Sequence, residues 1–319
     1  MSVSSGAAMN IVTLAGESLV AEVAVAQFRN DPRFMLEIVD GLAPPLNREE
    51  KWIINVSTQF GCPVGCPYCD AGFAYVGNPT AAELLAQVRW ALSRHPDAPG
   101  RCRKLKVHFA RMGEPALNDA VLQALSDLPS VIKTGRFWVC LATVAPRGRE
   151  PWFEELLQIK RRLYRGRFQL QFSVQSTRET DRNRLIPIPH WTLEEIAAYG
   201  RRFFEPGDRT VVLNFALANG VAFDPQVLGS FFSPACFAIK ITPVNPTERG
   251  AAQGIETILR SERTAALNVL CQSLRERGFK VIESVGDGRE DLIGSNCGQS
   301  LRALMNSNAA ITLQRSLVP

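Results

Sequence analysis

The chain lacks any uninterrupted apolar run approaching the ~18 residues that a membrane-spanning helix needs, so no membrane partner is expected. Its opening, MSVSSGAAMN, lacks the charged-then-apolar pattern of a secretory leader. No internal repeat or low-complexity tract interrupts it, which sets aside solenoids and fibrous folds. No cysteine precedes Cys62, and the eight cysteines are unevenly spaced, so they read as reduced thiols rather than a disulfide frame; a cytoplasmic location is expected. A strong charge bias is also missing. The net charge of +5 permits an anionic substrate without establishing one.

What is present is the composition of a globular domain, with 46% apolar and 21% charged residues over a length of 319 that suits one α/β barrel. Residues 1–50 contain two strand-like patches, LVAEVAVAQF and RFMLEIVD, which predict a short β extension ending in a Pro-rich turn at Ala43–Leu46. From Trp52 the pattern alternates. Strands are expected at Trp52–Ser57, Leu105–Ala110, Phe137–Ala142, Phe168–Val174, Thr210–Ala216 and Phe237–Thr242, with amphipathic helices between them. Six β/α alternations predict a parallel sheet curved into a partial barrel over residues 51–305, with 306–319 as a tail. A further helix at Glu256–Arg277 and an extra strand at Phe279–Ser284 lead to an acidic, glycine-broken loop reaching Cys297. The basic patches Arg101–Lys106 and Lys160–Arg167 read first as solvated helix or strand ends and second as a nucleic-acid surface.

The densest chemistry lies in QFGCPVGCPYCDAG, residues 59–72, just after the first barrel strand. Cys62, Cys66 and Cys69 form a C-x3-C-x2-C run, and closely spaced thiolates favour an iron–sulfur cluster or zinc. A structural zinc ion takes four ligands, and no fourth follows at zinc-finger spacing. Three ligands alone suit a 4Fe–4S cluster with one iron left open.

Other polar groups fall at strand ends, where a barrel collects its functional residues. In RMGEPALN, Gly113 lets the backbone approach a ligand and Glu114 can accept from an ammonium group. FSVQS places Ser173 and Gln175 on one face by alternation. Asn245 stands between two prolines in TPVNP, a rigid polar turn. Cys140 reads as a buried, inert thiol. Cys297, in the Gly/Ser/Asn-rich ending DLIGSNCGQS, reads as an accessible thiol fit for alkylation.

The C-x3-C-x2-C run with Tyr68 before its third cysteine resembles the signature of the radical S-adenosylmethionine (SAM) superfamily. VSTQFGCPVGCPYCDAG, MGEP, FSVQS followed by RLIPI, ITPVNP and NCGQ occur in the same order as in the dual-cysteine radical SAM methylases of the RlmN and Cfr type. The resemblance covers roughly Trp52 to Gln299 and implies two cofactors, a 4Fe–4S cluster on Cys62, Cys66 and Cys69 and SAM held by Gly113, Glu114, Ser173, Gln175 and Asn245. It also implies an electron donor such as flavodoxin or ferredoxin. Enzymes of that family methylate an adenine of 23S ribosomal RNA at carbon 2 or 8: a cysteine, matched here by Cys297, takes a methyl from one SAM, and a 5′-deoxyadenosyl radical from a second SAM activates it for addition to an sp2 carbon. Three departures stand out. The family's second cysteine, seven residues before the first cluster ligand, is Asn55 here; only about fifty residues stand where the family has a larger accessory domain; and Gln175 replaces a usual histidine. The expected function is therefore a radical SAM C-methylase acting on a non-ribosomal target, with a small molecule favoured over a nucleic acid as the substrate. The alternatives are a 23S rRNA adenine methylase, a non-methylating radical SAM enzyme and an iron–sulfur binding module.

Overall fold

In the computed structural model, residues 8–256, 264–284 and 298–316 are described. Their strands join in one ten-stranded sheet in chain order: β1 (Met9–Glu17), β2 (Ala21–Phe28), β3 (Met35–Gly41), β4 (Trp52–Val56), β5 (Leu105–Phe109), β6 (Phe137–Thr143), β7 (Phe168–Ser173), β8 (Val211–Leu217), β9 (Phe237–Pro243) and β10 (Lys280–Glu283). Strands β1 to β4 pair antiparallel and β4 to β10 pair parallel. The six expected barrel strands are β4 to β9, each within one or two residues of its sequence boundaries, and β10 adds a seventh parallel strand. The amino-terminal extension is larger than two patches implied: β1 joins β2, and β3 pairs with β4, so the extension continues the barrel sheet.

Helices α1 (Ala81–Arg94), α2 (Ala98–Arg101), α3 (Ala120–Val131), α4 (Glu150–Leu163), α5 (Glu179–Leu185), α6 (Leu193–Phe203), α7 (Pro225–Phe231), α8 (Glu248–Ala252) and α9 (Thr264–Glu276) alternate with the strands, and α10 (Gln299–Ser316) follows them. None is long and apolar enough to cross a membrane. Local sequence starts them where the strands end: Thr80 with Glu83, and Thr192 with Glu195, form reciprocal capping boxes for α1 and α6. Apolar faces then cover the outside of the sheet. Trp52, Ile54 and Val56 of β4 and Leu105, Val107 and Phe109 of β5 are buried in that outer core, whereas Ile53, Asn55, Lys106 and His108 between them are only half-buried. Strands buried on both faces read as continuous apolar runs. The alternation here means that the inner face of the barrel is wet.

One buried carboxylate ties the extension to the barrel. Asp40 of β3 accepts from Trp52 Nε1 at 2.6 Å, pairs with Arg48 at 2.5 Å, and meets His95 Nε2 at 2.7 Å. Glu22, Asp40 and His95 also bring three metal-ligand atoms within 4.8 Å of one another, but Arg94 pairs with Glu22 at 2.6 Å and supplies, with Arg48, the cations that balance the cluster. It reads as a structural joint. Asp40→Ala would leave Trp52 Nε1 and the partly buried Arg48 without this acceptor, and removing the buried member of such a set costs about 3–5 kcal/mol. Urea unfolding should show a midpoint lowered by that amount at unchanged slope; a loss under 1 kcal/mol would show that the joint is not needed.

Candidate active site

The cysteine loop leaves β4 and lies across the carboxyl end of the sheet. Gly61 and Gly65 take positive φ of 79° and 72°, and at Gly61 a Cβ would lie 1.7 Å from the Ala74 carbonyl oxygen, so the turn into the motif demands glycine. Cys62, Cys66 and Cys69 line one pocket together with Gly113, Glu114, Ser173 and Gln175. Asn245 lies on an adjoining pocket that shares Tyr68, Cys69, Ser173 and Gln175. The structure thus gathers, from the ends of β4, β5, β7 and β9, the metal-ligand and cofactor residues singled out in the sequence. Cys297 lies outside the described residues.

The donor set can be tested against candidate metals. A structural zinc ion takes four protein ligands, and among the described residues no fourth cysteine or histidine lines the pocket of Cys62, Cys66 and Cys69. Three thiolates in one pocket suit a multinuclear iron–sulfur cluster with one iron left open. Burial pushes the Cys66 thiol up to about 12, with the neighbouring Cys62 charge next in effect. Neighbouring thiolates in this half-buried pocket call for a cation, which a metal centre supplies. The residues fit a 4Fe–4S cluster.

The MGEP turn is clamped onto the same loop. Thr58 N donates to the Met112 carbonyl at 2.7 Å, and Glu114 N donates to Gln59 Oε1 at 2.8 Å. A Cβ on Gly113 would lie 2.7 Å from Gln59 N, so glycine is needed for this close approach. The Glu114 carboxylate accepts from Ala116 N at 3.0 Å, from Val144 N at 2.8 Å and from the Thr143 hydroxyl. Burial raises its pKa to about 7 in spite of these donors. Gln175, at φ 67°, accepts from Ala216 N at 2.7 Å. Asn55 does not join this pocket: it lines the barrel lumen, in register with His108, which is in turn in register with Cys140. Cys140 lies at the middle of β6, fully buried and within reach of the Gln171 amide, rather than near the strand's carboxyl end.

Several site-building residues carry no motif of their own. Asp70, fully buried, accepts from Arg249 N at 3.0 Å and pairs with Arg302 at 3.1 Å, while Arg249 donates to the carbonyls of Gly72 and Gly65 at 2.8 and 3.0 Å. Glu37 of β3 is the least foreseeable. Fully buried, it accepts from Gly298 N and Leu301 N, both at 2.8 Å, and pairs with Arg111 at 2.6 Å. It therefore ties the extension to the MGEP turn and to the start of α10. Gly298, the residue after Cys297, has φ 82°, and a Cβ there would lie 2.3 Å from Ala71 N of the cysteine loop. A sequence scan sees Glu37 as one acidic residue in an apolar strand, which is itself a signal of a buried partner.

No protein-family model matches the chain. A solved radical SAM methyltransferase from Sphaerobacter thermophilus superposes with a TM-score of 0.70 at 22% identity, covering 91% of this chain and 80% of that one. The open parallel barrel shares the fold of that protein. Over 257 residues the chain is 30% identical to a probable dual-specificity RNA methyltransferase RlmN from Frankia alni, a match covering 77% of this chain and 58% of that protein. It is 27% identical over 255 residues to a ribosomal RNA large subunit methyltransferase N from Nitrosopumilus maritimus, covering 76% and 66%. The chain is a divergent relative of the RlmN-type radical SAM methyltransferases, and it spans a little over half the length of the Frankia protein.

Glu37→Ala would remove the carboxylate that pairs with the nearly buried Arg111 and accepts from two amides at the start of α10. Loss of a buried partner of this kind costs about 3–5 kcal/mol. Hydrogen exchange should show the Gly298 and Leu301 amides losing protection before the barrel strands do. Unchanged protection there would remove Glu37 from its joining role.

Proposed function

We propose that this protein is a radical SAM C-methylase in which Cys297 carries the methyl group and the target is a non-ribosomal small molecule. The observation that carries the reading is the pocket shared by Cys62, Cys66, Cys69, Glu114, Ser173 and Gln175, with Gly298 seated on the cysteine loop beside it. In this reading Cys62, Cys66 and Cys69 hold the 4Fe–4S cluster, which when bound and reduced by a donor such as a flavodoxin or ferredoxin supplies the one-electron cleavage of SAM. Glu114 receives the SAM ammonium, Gly113 lets the amino-acid end approach the backbone, and Ser173, Gln175 and Asn245 bind its remaining polar groups. Cys297, as thiolate, displaces a methyl from one SAM sulfonium, forming the S–CH3 bond as the sulfonium bond breaks. Support for a non-ribosomal target comes from Asn55, which stands where the resemblance implies a second cysteine that frees the methylated product from its thioether link to the carrier: an amide is neither a thiolate nor a base and cannot do this. A second reading, an RNA adenine methylase, is favoured by the names of the relatives, which act on RNA.

The test is SAM binding and cleavage by anaerobically reconstituted protein. Replacing any of the three cysteines with Ala should abolish both the cluster spectrum and 5′-deoxyadenosine formation, and full iron with activity in the triple variant would refute the reading. Glu114→Gln should keep the cluster while weakening SAM binding by on the order of ten- to a hundredfold, the effect of one charge-assisted bond. The pH dependence has a defined sign. With its carboxyl titrating at about 7 in the empty pocket, Glu114 favours the cationic ligand when ionised, so SAM affinity falls as pH drops below about 7. Above roughly 8 the ligand's α-amino group loses its own proton and affinity falls again. Glu114→Gln should remove the acid limb alone; an unchanged acid limb would take Glu114 out of the site. Incubation with 23S rRNA separates the second reading, since methyl incorporation there would favour it.

A further inference from the structure

The lumen of the barrel carries a second feature, at the end opposite the cysteines. Lys51 precedes β4, Lys104 and Lys106 stand at the start of β5, and Arg209 precedes β8; all four face one cavity of about 500 Å³. Barrel interiors are usually filled with bulky apolar side chains. Among the described residues no carboxylate lines this cavity, and none forms an ion pair with Lys51, Lys104 or Lys106. Lys51 is held below its ordinary pKa by burial and then by Lys106 and Arg209, and Lys104 by burial and then by Arg209, Lys106 and Lys51. Arg209 is oriented by the bond from its Nε to Gln169 Oε1 at 2.7 Å. Four cations at one half-buried space, with no carboxylate lining it among the described residues, are an arrangement that an anion stabilises.

This cavity is continuous with the site. His108, Gln171, Lys240 and Asn245 line both it and the pocket that reaches Cys69, Ser173 and Gln175. The span follows from strand rise: from Lys104 to Ala110 is six residues, or ~20 Å, and from Lys106 it is ~13 Å. A molecule with a charged head at one end and a reactive carbon at the other fits that length. The basic groups sit together at one end of the lumen, which suits a single terminal anionic group.

We propose that the amino-terminal end of the lumen is a phosphate-binding site, and that the substrate is a small phosphomonoester or diphosphate anchored there by Lys51, Lys104, Lys106 and Arg209 with its carbon skeleton directed toward the cysteine end. The identification as substrate rests on the methylase reading; the anion site does not. The lysines supply mobile point charges and the arginine a planar fork, a pairing suited to phosphate oxygens. His108, held far below its usual pKa by burial and then by Lys106 and Lys240, stays neutral and polar in the middle of the path.

Calorimetric titration of the reconstituted protein with inorganic pyrophosphate tests the site directly. Saturable 1:1 binding is expected, weakened at least tenfold in Lys51→Gln/Lys106→Gln and unchanged in Lys133→Gln, a control distant from the lumen. Binding should persist in the triple cysteine variant, so failure of the cluster reading and failure of the anion site give different results. If the double variant does not fold, acetylation of the unmutated protein read by mass spectrometry replaces it: pyrophosphate should protect Lys51, Lys104 and Lys106 and leave Lys133 modified. No saturable binding, equal binding by the folded double variant, or no protection would overturn the site. Displacement of pyrophosphate by a single-stranded RNA lacking a 5′-phosphate, at lower concentration than by a small phosphomonoester, would overturn the small-molecule assignment.

Discussion

Placing neighbouring thiolates beside a carboxylate is unfavourable without a cation, and much of this structure holds those groups at one pocket. Burial, then the charges of Cys62 and Glu114, push the Cys66 thiol up, and burial raises Glu114, so the ionised forms of both await positive charge. In the proposed reading, the cationic core of an iron–sulfur cluster at one side and the ammonium of SAM at the other supply that positive charge. The surrounding bonds are directed to the same end. Asp70 and Arg249 lock the cysteine loop to the β9–α8 connection, and Gln59 locks the MGEP turn to that loop. Backbone amides, rather than mobile side chains, hold most of the Glu114 carboxylate in place.

The amino-terminal extension then acquires a role beyond covering an edge. Through Glu37 it reaches the chain immediately after Cys297, and through Arg111 it reaches the turn that carries Gly113 and Glu114. One carboxylate therefore sets the relation between the proposed methyl carrier's neighbour and the proposed SAM site. The lumen supplies the remaining dimension, a polar and basic path leading away from the cluster end.

Much of this was legible in the residues. The period-2 strands and their flanking helices were marked because parallel β/α units repeat the same signals, and the barrel strands fell within a residue or two of expectation. The cysteine loop, Gly113, Glu114, Ser173 and Gln175 were legible because strand ends converge in a barrel, so that residues distant in sequence share a pocket. Strand β1 was missed because its residues are largely exposed and carry no clear alternation. The role of Glu37 was hidden because its partners lie about 75 and more than 260 residues away in sequence. Lys104 and Lys106 were misread as a solvated strand end for a related reason. Alternation of Lys106 and His108 with Leu105, Val107 and Phe109 says that one face is polar, but only the curvature of the sheet shows that this face is inside.

The central claim is that Cys297 is a methyl carrier served by the neighbouring cluster site, and intact-protein mass spectrometry with peptide mapping tests it most directly. Protein isolated from cells, or reconstituted and incubated with SAM bearing a deuterated methyl group, should carry one methyl on Cys297 and none on Cys140. The label should leave Cys297 during turnover, and Cys297→Ala should still cleave SAM while transferring no methyl. A Cys297 that is never methylated, with an Ala variant that transfers methyl at the normal rate, would contradict the carrier account.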